Sequence, residues 1–296
     1  ASTRWSLCRN TGYIVDCEYN GQPILSGPVS DCFVRAPVDN DICSSEIDNP
    51  SPHAWLARWK DSGLFDLEHT CVGVTLSEGT IVSCHEFRGE RQGEVTCLMR
   101  SRWVYCFNDD GAVDVKVEVE ADESLLPLPR VGAHLILRRL PETVSWLGRG
   151  PHENYPDRKQ SADLGYWCLP REAMHTPYIF PSENGLRCDL RCAQVGDLVI
   201  EKLHGELAFS ASEFDLDTLM QAQHTNELFS ADALHIHIDG FHMGVGGDDS
   251  WSPSVKPPYL LNAREYCWGF KLRAAAEYLE QRVKDTGESV PARNDS

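Results

Sequence analysis

No stretch of this 296-residue chain approaches the roughly 20 consecutive apolar residues that a membrane-spanning helix requires. Basic side chains are scarce too: 27 Lys and Arg stand against 45 Asp and Glu, a formal charge of −18 that repels phosphate backbones and anionic lipid. Neither nucleic acid nor a membrane is therefore an expected partner. There is no Cys-x-x-Cys pair; the nearest spacing is Cys188 and Cys192, with no second pair or histidine cluster to complete a zinc set, so no metal and no other cofactor is expected. Internal repeats and linkers are also missing, and the Pro-rich run Leu-Leu-Pro-Leu-Pro-Arg at 125–130 is too short to hinge two domains. The opening Ala-Ser-Thr-Arg-Trp lacks the basic and apolar regions of a signal peptide, so the expectation is a cytosolic chain or one whose signal has been removed.

What is present is a 42% hydrophobic content, enough for a substantial core, and 12 cysteines, an unusual number for a cytosolic chain without a metal. If 70–76, 80–87 and 94–106 are consecutive antiparallel strands, Cys84 lies roughly opposite both Cys71 and Cys97 and one cross-strand disulfide is expected; Cys8 and Cys17 face each other similarly across the Asn10-Thr11-Gly12 turn. That favours a secreted chain. The plainer alternative is a set of small buried hydrophobes in a reducing cytoplasm. The sequon Asn294-Asp-Ser, at the last three residues, adds almost nothing to the choice.

Short alternating segments dominate. Residues 113–120 alternate Val with charged residues, 198–209 alternate less strictly, and 234–239 read Leu-His-Ile-His-Ile-Asp, each the period of a half-buried strand. Turn clusters at 77–79 and 108–111 suit hairpins. Helices are expected only around Trp55 and Trp59 within 51–62, in a capped segment at 213–223, and at 274–284. The reading is all-β: one large antiparallel supersandwich over 1–273, followed by a charged tail, 274–296, partly helical or disordered.

The most informative stretch is 239–254, Asp-Gly-Phe-His-Met-Gly-Val-Gly-Gly-Asp-Asp-Ser-Trp-Ser-Pro-Ser, because four glycines and two adjacent aspartates cannot pack a core element. Gly244, Gly246 and Gly247 allow positive φ and close backbone approach, Asp248 and Asp249 favour turns, and Pro253 blocks a continuing ladder. Trp251 is thereby presented on an ordered turn as a flat surface for a ligand, or else folds back as a lid on the local core. Two further segments stand out: Trp-Leu-Gly-Arg-Gly-Pro-His-Glu-Asn-Tyr-Pro-Asp-Arg at 146–158 and Tyr-Ile-Phe-Pro-Ser-Glu-Asn-Gly-Leu-Arg at 178–187. With Arg-Ala-Pro-Val-Asp-Asn-Asp at 35–41 and the Trp251 loop, they form four long motifs in order. Over residues 5–272 the chain resembles the C-terminal domain of glycoside hydrolase family 2 β-galactosidases, which in heterodimeric members is a separate small chain.

The resemblance implies a supersandwich like that of galactose mutarotases, in which two broad antiparallel sheets stack and one face carries a shallow groove. It also implies an accessory role. The family hydrolyses with retention through two glutamates and cations on a separate (β/α)-barrel that has no counterpart in this chain, whereas the loop tryptophan, matched by Trp251 within the intact Gly-Gly-Asp-Asp-Ser at 246–250, stacks on the sugar in the leaving-group position. Asp248, Asp249 and Ser250 accompany it as candidate ligand-binding residues, and His152, Glu153, Asn154, Arg158 and His242 are candidate polar partners, with bracing of the loop after Trp146 as the alternative role for the 152–158 group. Asp248 and Asp249 do not form a hydrolytic dyad, because adjacent residues point apart. Glu183 and Asn184 are expected to brace the Trp251 loop. Relatives can hold sodium with main-chain carbonyls near 180–181 and 219–222, but Ala222 stands where the family has a threonine, so no metal residue is assigned.

Three functions remain open. The first is a non-catalytic β-galactosidase small-chain domain that binds a galactoside beside a catalytic large chain. The second is a freed saccharide- or small-molecule-binding module, alone or as a homo-oligomer. The third is a hexose mutarotase using His235, His237 or His242 with Glu183 or Asp239, although two histidines on one strand face are more often merely solvated.

Overall fold

The computed structural model describes residues 2–286, with the exception of Ser44, Gln92 and Ala231; the sequon at 294–296 lies outside the described residues. The chain runs β1 (Thr3–Leu7), β2 (Ile14–Tyr19), β3 (Gln22–Pro23) and β4 (Ser30–Cys32), then α1 (Asp39–Ile42) and α2 (Trp55–Asp61). Next come β5 (Glu68–Ser77), β6 (Thr80–Arg91), β7 (Glu94–Phe107), β8 (Val113–Ala121), β9 (Arg130–Leu137), β10 (Thr143–Gly150) and β11 (Asp163–Pro170). The last third holds β12 (Cys192–Val195), β13 (Leu198–His204), β14 (Ala208–Ser212), α3 (Leu216–Gln221), β15 (Leu234–His242), β16 (Glu265–Ala274) and α4 (Tyr278–Thr286).

These strands make a nine-stranded sheet in the order β11-β10-β12-β13-β16-β8-β7-β6-β5, a four-stranded sheet β14-β15-β9-β4, and a small β1-β2-β3 sheet. The all-β expectation holds. Alternation explains the packing: Val113, Val115, Val117 and Val119 of β8 are at most 3% exposed, each burial contributing about 2 kcal/mol, while Asp114, Lys116 and Glu118 face out. Leu234, Ile236 and Ile238 of β15 enter the same core, with Trp103, Trp146, Trp268 and Phe270 between the layers. At Gly240 a Cβ would lie 2.3 Å from the Trp268 ring, so only glycine lets the bulged β15 approach that indole.

Both hairpin turns and the helix around Trp55 and Trp59 form where the pattern placed them. The segment 198–209 does not form one strand. It breaks at Gly205, which has φ +76°, and its halves join different sheets, β13 pairing with β16 and β14 with β15. The disulfide expectation also fails: all twelve cysteines are free. Bulges at Cys71/Gly73 and Phe87/Arg88 shift the register, so Cys84 pairs with Gly73 and Arg102, Cys71 with His85, and Cys97 with Arg88; Cys17 pairs with Trp5 rather than Cys8. After β16 the helix α4 buries Leu279 and Val283 against Leu147, Cys192 and Val199.

Under the N-terminal hairpin a polar centre completes the core. Asp31 Oδ2 accepts from Tyr13 OH at 2.6 Å, Ser101 Oγ at 2.6 Å and Trp103 Nε1 at 2.9 Å, while the Tyr13 ring stacks on His85 at 4.4 Å. Burial drives the Asp31 carboxyl up to about 6, the three neutral donors only partly opposing it. His85, in the same centre, is pushed down to about 3 by burial and by its neighbour His69.

Candidate functional site

The glycine-rich loop after β15 is ordered by segments far away in sequence. Arg35, fully buried, forms a fork with Asp41 at 2.7 and 3.0 Å and donates to the carbonyls of Met243 at 3.0 Å and Gly244 at 3.1 Å. Asn40 Nδ2 donates to the carbonyls of Gly246 at 3.1 Å and Asp249 at 2.6 Å, and Asp157 accepts from the amides of Val245 at 3.2 Å and Gly246 at 2.7 Å. The glycines serve close approach rather than positive φ: none of Gly244, Gly246 and Gly247 has φ in the left-handed region, but a Cβ at Gly244 would meet Asp157 at 2.6 Å and one at Gly247 would meet Ser254 at 2.1 Å. Asp249 forms the turn, accepting from the amides of Trp251 at 3.1 Å and Ser252 at 2.8 Å. Hydrogen bonds from the Ser252 hydroxyl and these amides hold its carboxyl below its usual range. Trp251 emerges from this turn 65% exposed, so it is no lid on the core.

Beside the loop lies a cavity of about 540 Å³. One wall is Asp39 and Asn40 of α1, a second is Tyr155 and Arg158, a third is 178–183, and the loop itself supplies Gly246, Asp249 and Ser250. Of the sequence candidates, Arg158, Asp249 and Ser250 line it, and Trp251 follows Ser250 in the chain without being one of the lining residues. The others lie elsewhere. Asp248 pairs with Lys256 at 3.0 Å on the surface, and His152 meets Ser161 at 3.0 Å. Glu153 is 9% exposed and spends its carboxylate on Arg158 at 2.6 Å, the Gly185 amide at 2.7 Å and the Tyr178 hydroxyl. Asn154, fully buried, accepts from the Cys188 amide at 2.9 Å and donates to the His152 carbonyl at 3.1 Å. These two brace the loop after β10. Asn184 braces its own turn through the Thr176 amide at 3.0 Å and the Ser182 carbonyl at 2.9 Å, not the Trp251 loop.

Beneath the cavity is a buried charged group that the sequence motifs did not announce. Arg130, fully buried at the start of β9, binds Asp239 at 3.1 Å, Glu183 Oε1 at 3.0 Å and the Val34 carbonyl at 3.2 Å. Tyr155 OH and His242 Nε2 stand 3.5 and 3.7 Å from the same Glu183 oxygen. Burial opposes ionisation of Glu183, but Arg130, His242 and Arg35 outweigh it and hold the carboxyl at about 2. Asp239 moves the other way: burial raises it, and Arg130 and His242 only partly compensate.

His235 and His237 share one face of β15, packed with His134 of β9, whose Nε2 lies 3.1 Å from His235 Nδ1. Burial lowers all three, His134 to about 4, and none lines the cavity. Among the described residues no group of three His, Cys, Asp or Glu side chains is arranged to hold a metal. Ala222, buried at the end of α3, offers no side-chain oxygen to the sodium ligation that the resemblance implies.

Residues 1–272 match the family model described as the β-galactosidase small chain. The chain is 44% identical over 278 residues to a β-galactosidase of Aeromonas hydrophila and 45% identical over 279 residues to one of Vibrio cholerae. These alignments cover 92% and 93% of this chain but 26% and 27% of those proteins, so it spans about a quarter of the length of the relatives it matches. Among solved structures it is similar to a galactose 1-epimerase from Lactobacillus acidophilus, with a TM-score of 0.52 over 93% of this chain and 92% of that one; at 6% identity the likeness concerns the fold alone.

Proposed function

The chain belongs to the β-galactosidase small-chain family, and from that premise we propose that it is an accessory, non-catalytic wall of a galactoside site whose hydrolytic groups stand on a catalytic partner. The observation that carries the reading is Trp251, 65% exposed, on a loop fixed by Arg35, Asn40 and Asp157 whose residues Gly246, Asp249 and Ser250 line the 540 Å³ cavity. An immobilised indole face stacks on a sugar ring for about 1 kcal/mol beyond area burial, which orients a ligand but does not bind it tightly alone.

Hydrolysis with retention needs one carboxyl that carries a proton to the leaving oxygen and a second about 5 Å away as nucleophile. Glu183, held at about 2, is the opposite of a proton donor, and Asp249 is occupied as a turn former. A catalytic partner fits the rim better than a freed module does: Ile179 is 90% and Trp251 65% exposed, an apolar lip that closure by a second surface would bury. Titration of tryptophan fluorescence with galactose and lactose is the test. The wild-type signal saturates, and Trp251→Ala removes the response while leaving the unfolding curve in place; unchanged affinity in the variant takes Trp251 out of the site. The chain by itself leaves a chromogenic galactoside intact, and turnover that survives rigorous purification overturns the accessory assignment.

A further inference from the structure

Glu183 is 6% exposed, yet it lines the cavity, and its two carboxylate oxygens have different surroundings. Arg130 Nη2, Tyr155 OH and His242 Nε2 all converge on Oε1. Oε2 has no partner among the described residues, and it is not among the buried polar atoms cut off from solvent. One oxygen is thus anchored, and the other, on a residue that lines the cavity, is neither paired nor sealed. An ionised acceptor that its own fold leaves unpaired, on a residue lining a cavity, is open to a water or a ligand and so is a candidate recognition element.

We propose that Glu183 is a ligand-binding residue, its Oε2 accepting hydroxyl protons from a saccharide seated against Trp251; the inference rests on the accessory-wall reading and names the hydrogen-bond acceptor of that site. The surroundings select the ligand class. Asn40 Nδ2 and Arg158, the side-chain nitrogen donors of the walls, are engaged with the carbonyls of Gly246 and Asp249 and with Glu153 and Tyr178. Asp39, Asp249 and Glu183 repel an anion. Arg130 supplies the charge that balances Glu183, which leaves a strong acceptor suited to a neutral polyol. The contact specifies as well as binds, because a sugar lacking the hydroxyl would leave Oε2 buried and unpaired.

The test uses lactose and its monodeoxy derivatives on the whole chain. In protein labelled with 13C at glutamate carboxyls, lactose moves the Glu183 resonance together with the Trp251 indole signal, and one deoxy derivative binds about ten- to a hundredfold more weakly than lactose. In Glu183→Gln, which loses the charge and, with its amide oxygen kept on Arg130, turns an NH2 donor to the Oε2 position, lactose affinity falls to that of the deoxy derivative and the discrimination between the two disappears. A residue that only braces the fold would lower the unfolding midpoint and keep the discrimination. The wild-type resonance answers the question even if the variant fails to fold. If Trp251 responds while Glu183 stays still and every deoxy derivative binds like lactose, the inference is overturned and the accessory-wall reading stands. If neither residue responds to saturating lactose, that reading fails and takes the inference with it.

Discussion

Two of the carboxylates shielded from water in this chain, each with several partners, come out in opposite states. Asp31, under the N-terminal hairpin, has three hydrogen bonds from neutral donors and still sits at about 6. Glu183, under the cavity, has one guanidinium and two longer contacts and sits at about 2. The number of hydrogen bonds does not decide whether a buried acid stays ionised. A cation tips the balance at Glu183, because neutral dipoles recover only part of the lost hydration; Asp239, which shares the same Arg130, is still raised by its burial, so one guanidinium carries only one of its two acids. The second oxygens differ as well: Oδ1 of Asp31 is sealed without a partner, whereas Oε2 of Glu183, on a residue that lines the cavity, is not sealed. One centre is built to pack, the other to stay charged beside a cavity.

Removing the cation breaks the comparison and gives the largest effect. In Arg130→Met both Asp239 and Glu183 lose the guanidinium that ion-pairs with them while remaining buried, a loss of about 3–5 kcal/mol. Urea unfolding at pH 7 measures it, and the loss shrinks as pH falls and the stranded acids take up protons. A change under about 1 kcal/mol at pH 7 would mean that water reaches the pair and that Glu183 is not a sealed charge.

The next effect belongs to Asp31 and is set by pH. The folded chain holds its proton up to about pH 6 against the usual 3.8, so it binds that proton more tightly than the unfolded chain does. The resulting stabilisation is complete below about pH 4 and is lost as pH rises through 6, on the order of 3 kcal/mol. Asp31→Asn, with its carbonyl oxygen at the Oδ2 position, keeps all three donors and never ionises. Relative to wild type it is therefore expected to gain about 3 kcal/mol between pH 4 and pH 7.5, read from denaturation at both. An offset that does not vary with pH would place the charge elsewhere.

How much of this was legible beforehand follows from what each feature depends on. The Val alternation of β8 and the turns at 77–79 and 108–111 are local, and they form as read. The cysteine pairing depended on strand register, which two bulges reset, and no period-two pattern reports a bulge. The break at Gly205 follows from which sheet each half joins, a choice made by distant partners. At the site the loop and its tryptophan were visible because glycine and aspartate have local meaning. Glu153 and Asn154 look like ligand contacts by residue type, but backbone amides consume them. Asp39, Tyr178 and Ser182 lie in the motif segments 35–41 and 178–187, which marked the region without revealing that both face one cavity. Arg130 carried no signal beyond a lone arginine after two prolines.

The smallest expected effect sharpens the contrast between centre and rim. Asp157 is a third carboxylate with two partners, the amides of Val245 and Gly246, but it is only half-buried. In Asp157→Ala water can reach the freed amides, so the cost in global stability is about 1 kcal/mol, well below that of either buried acid. Its consequence is local. Arg35 still holds Met243 and Gly244 and Asn40 still holds the carbonyls of Gly246 and Asp249, so the loop keeps its ends while the amides of 245 and 246 lose protection. Hydrogen exchange is expected to rise at those two positions alone, and lactose affinity to fall a few-fold as Trp251 samples wider orientations before stacking. If exchange at 245 and 246 is unchanged, Arg35 and Asn40 suffice to order the loop and Asp157 contributes only charge. If exchange rises throughout 240–254, the rim depends on a single surface carboxylate, and the division drawn between a packed centre and an independently braced rim does not hold.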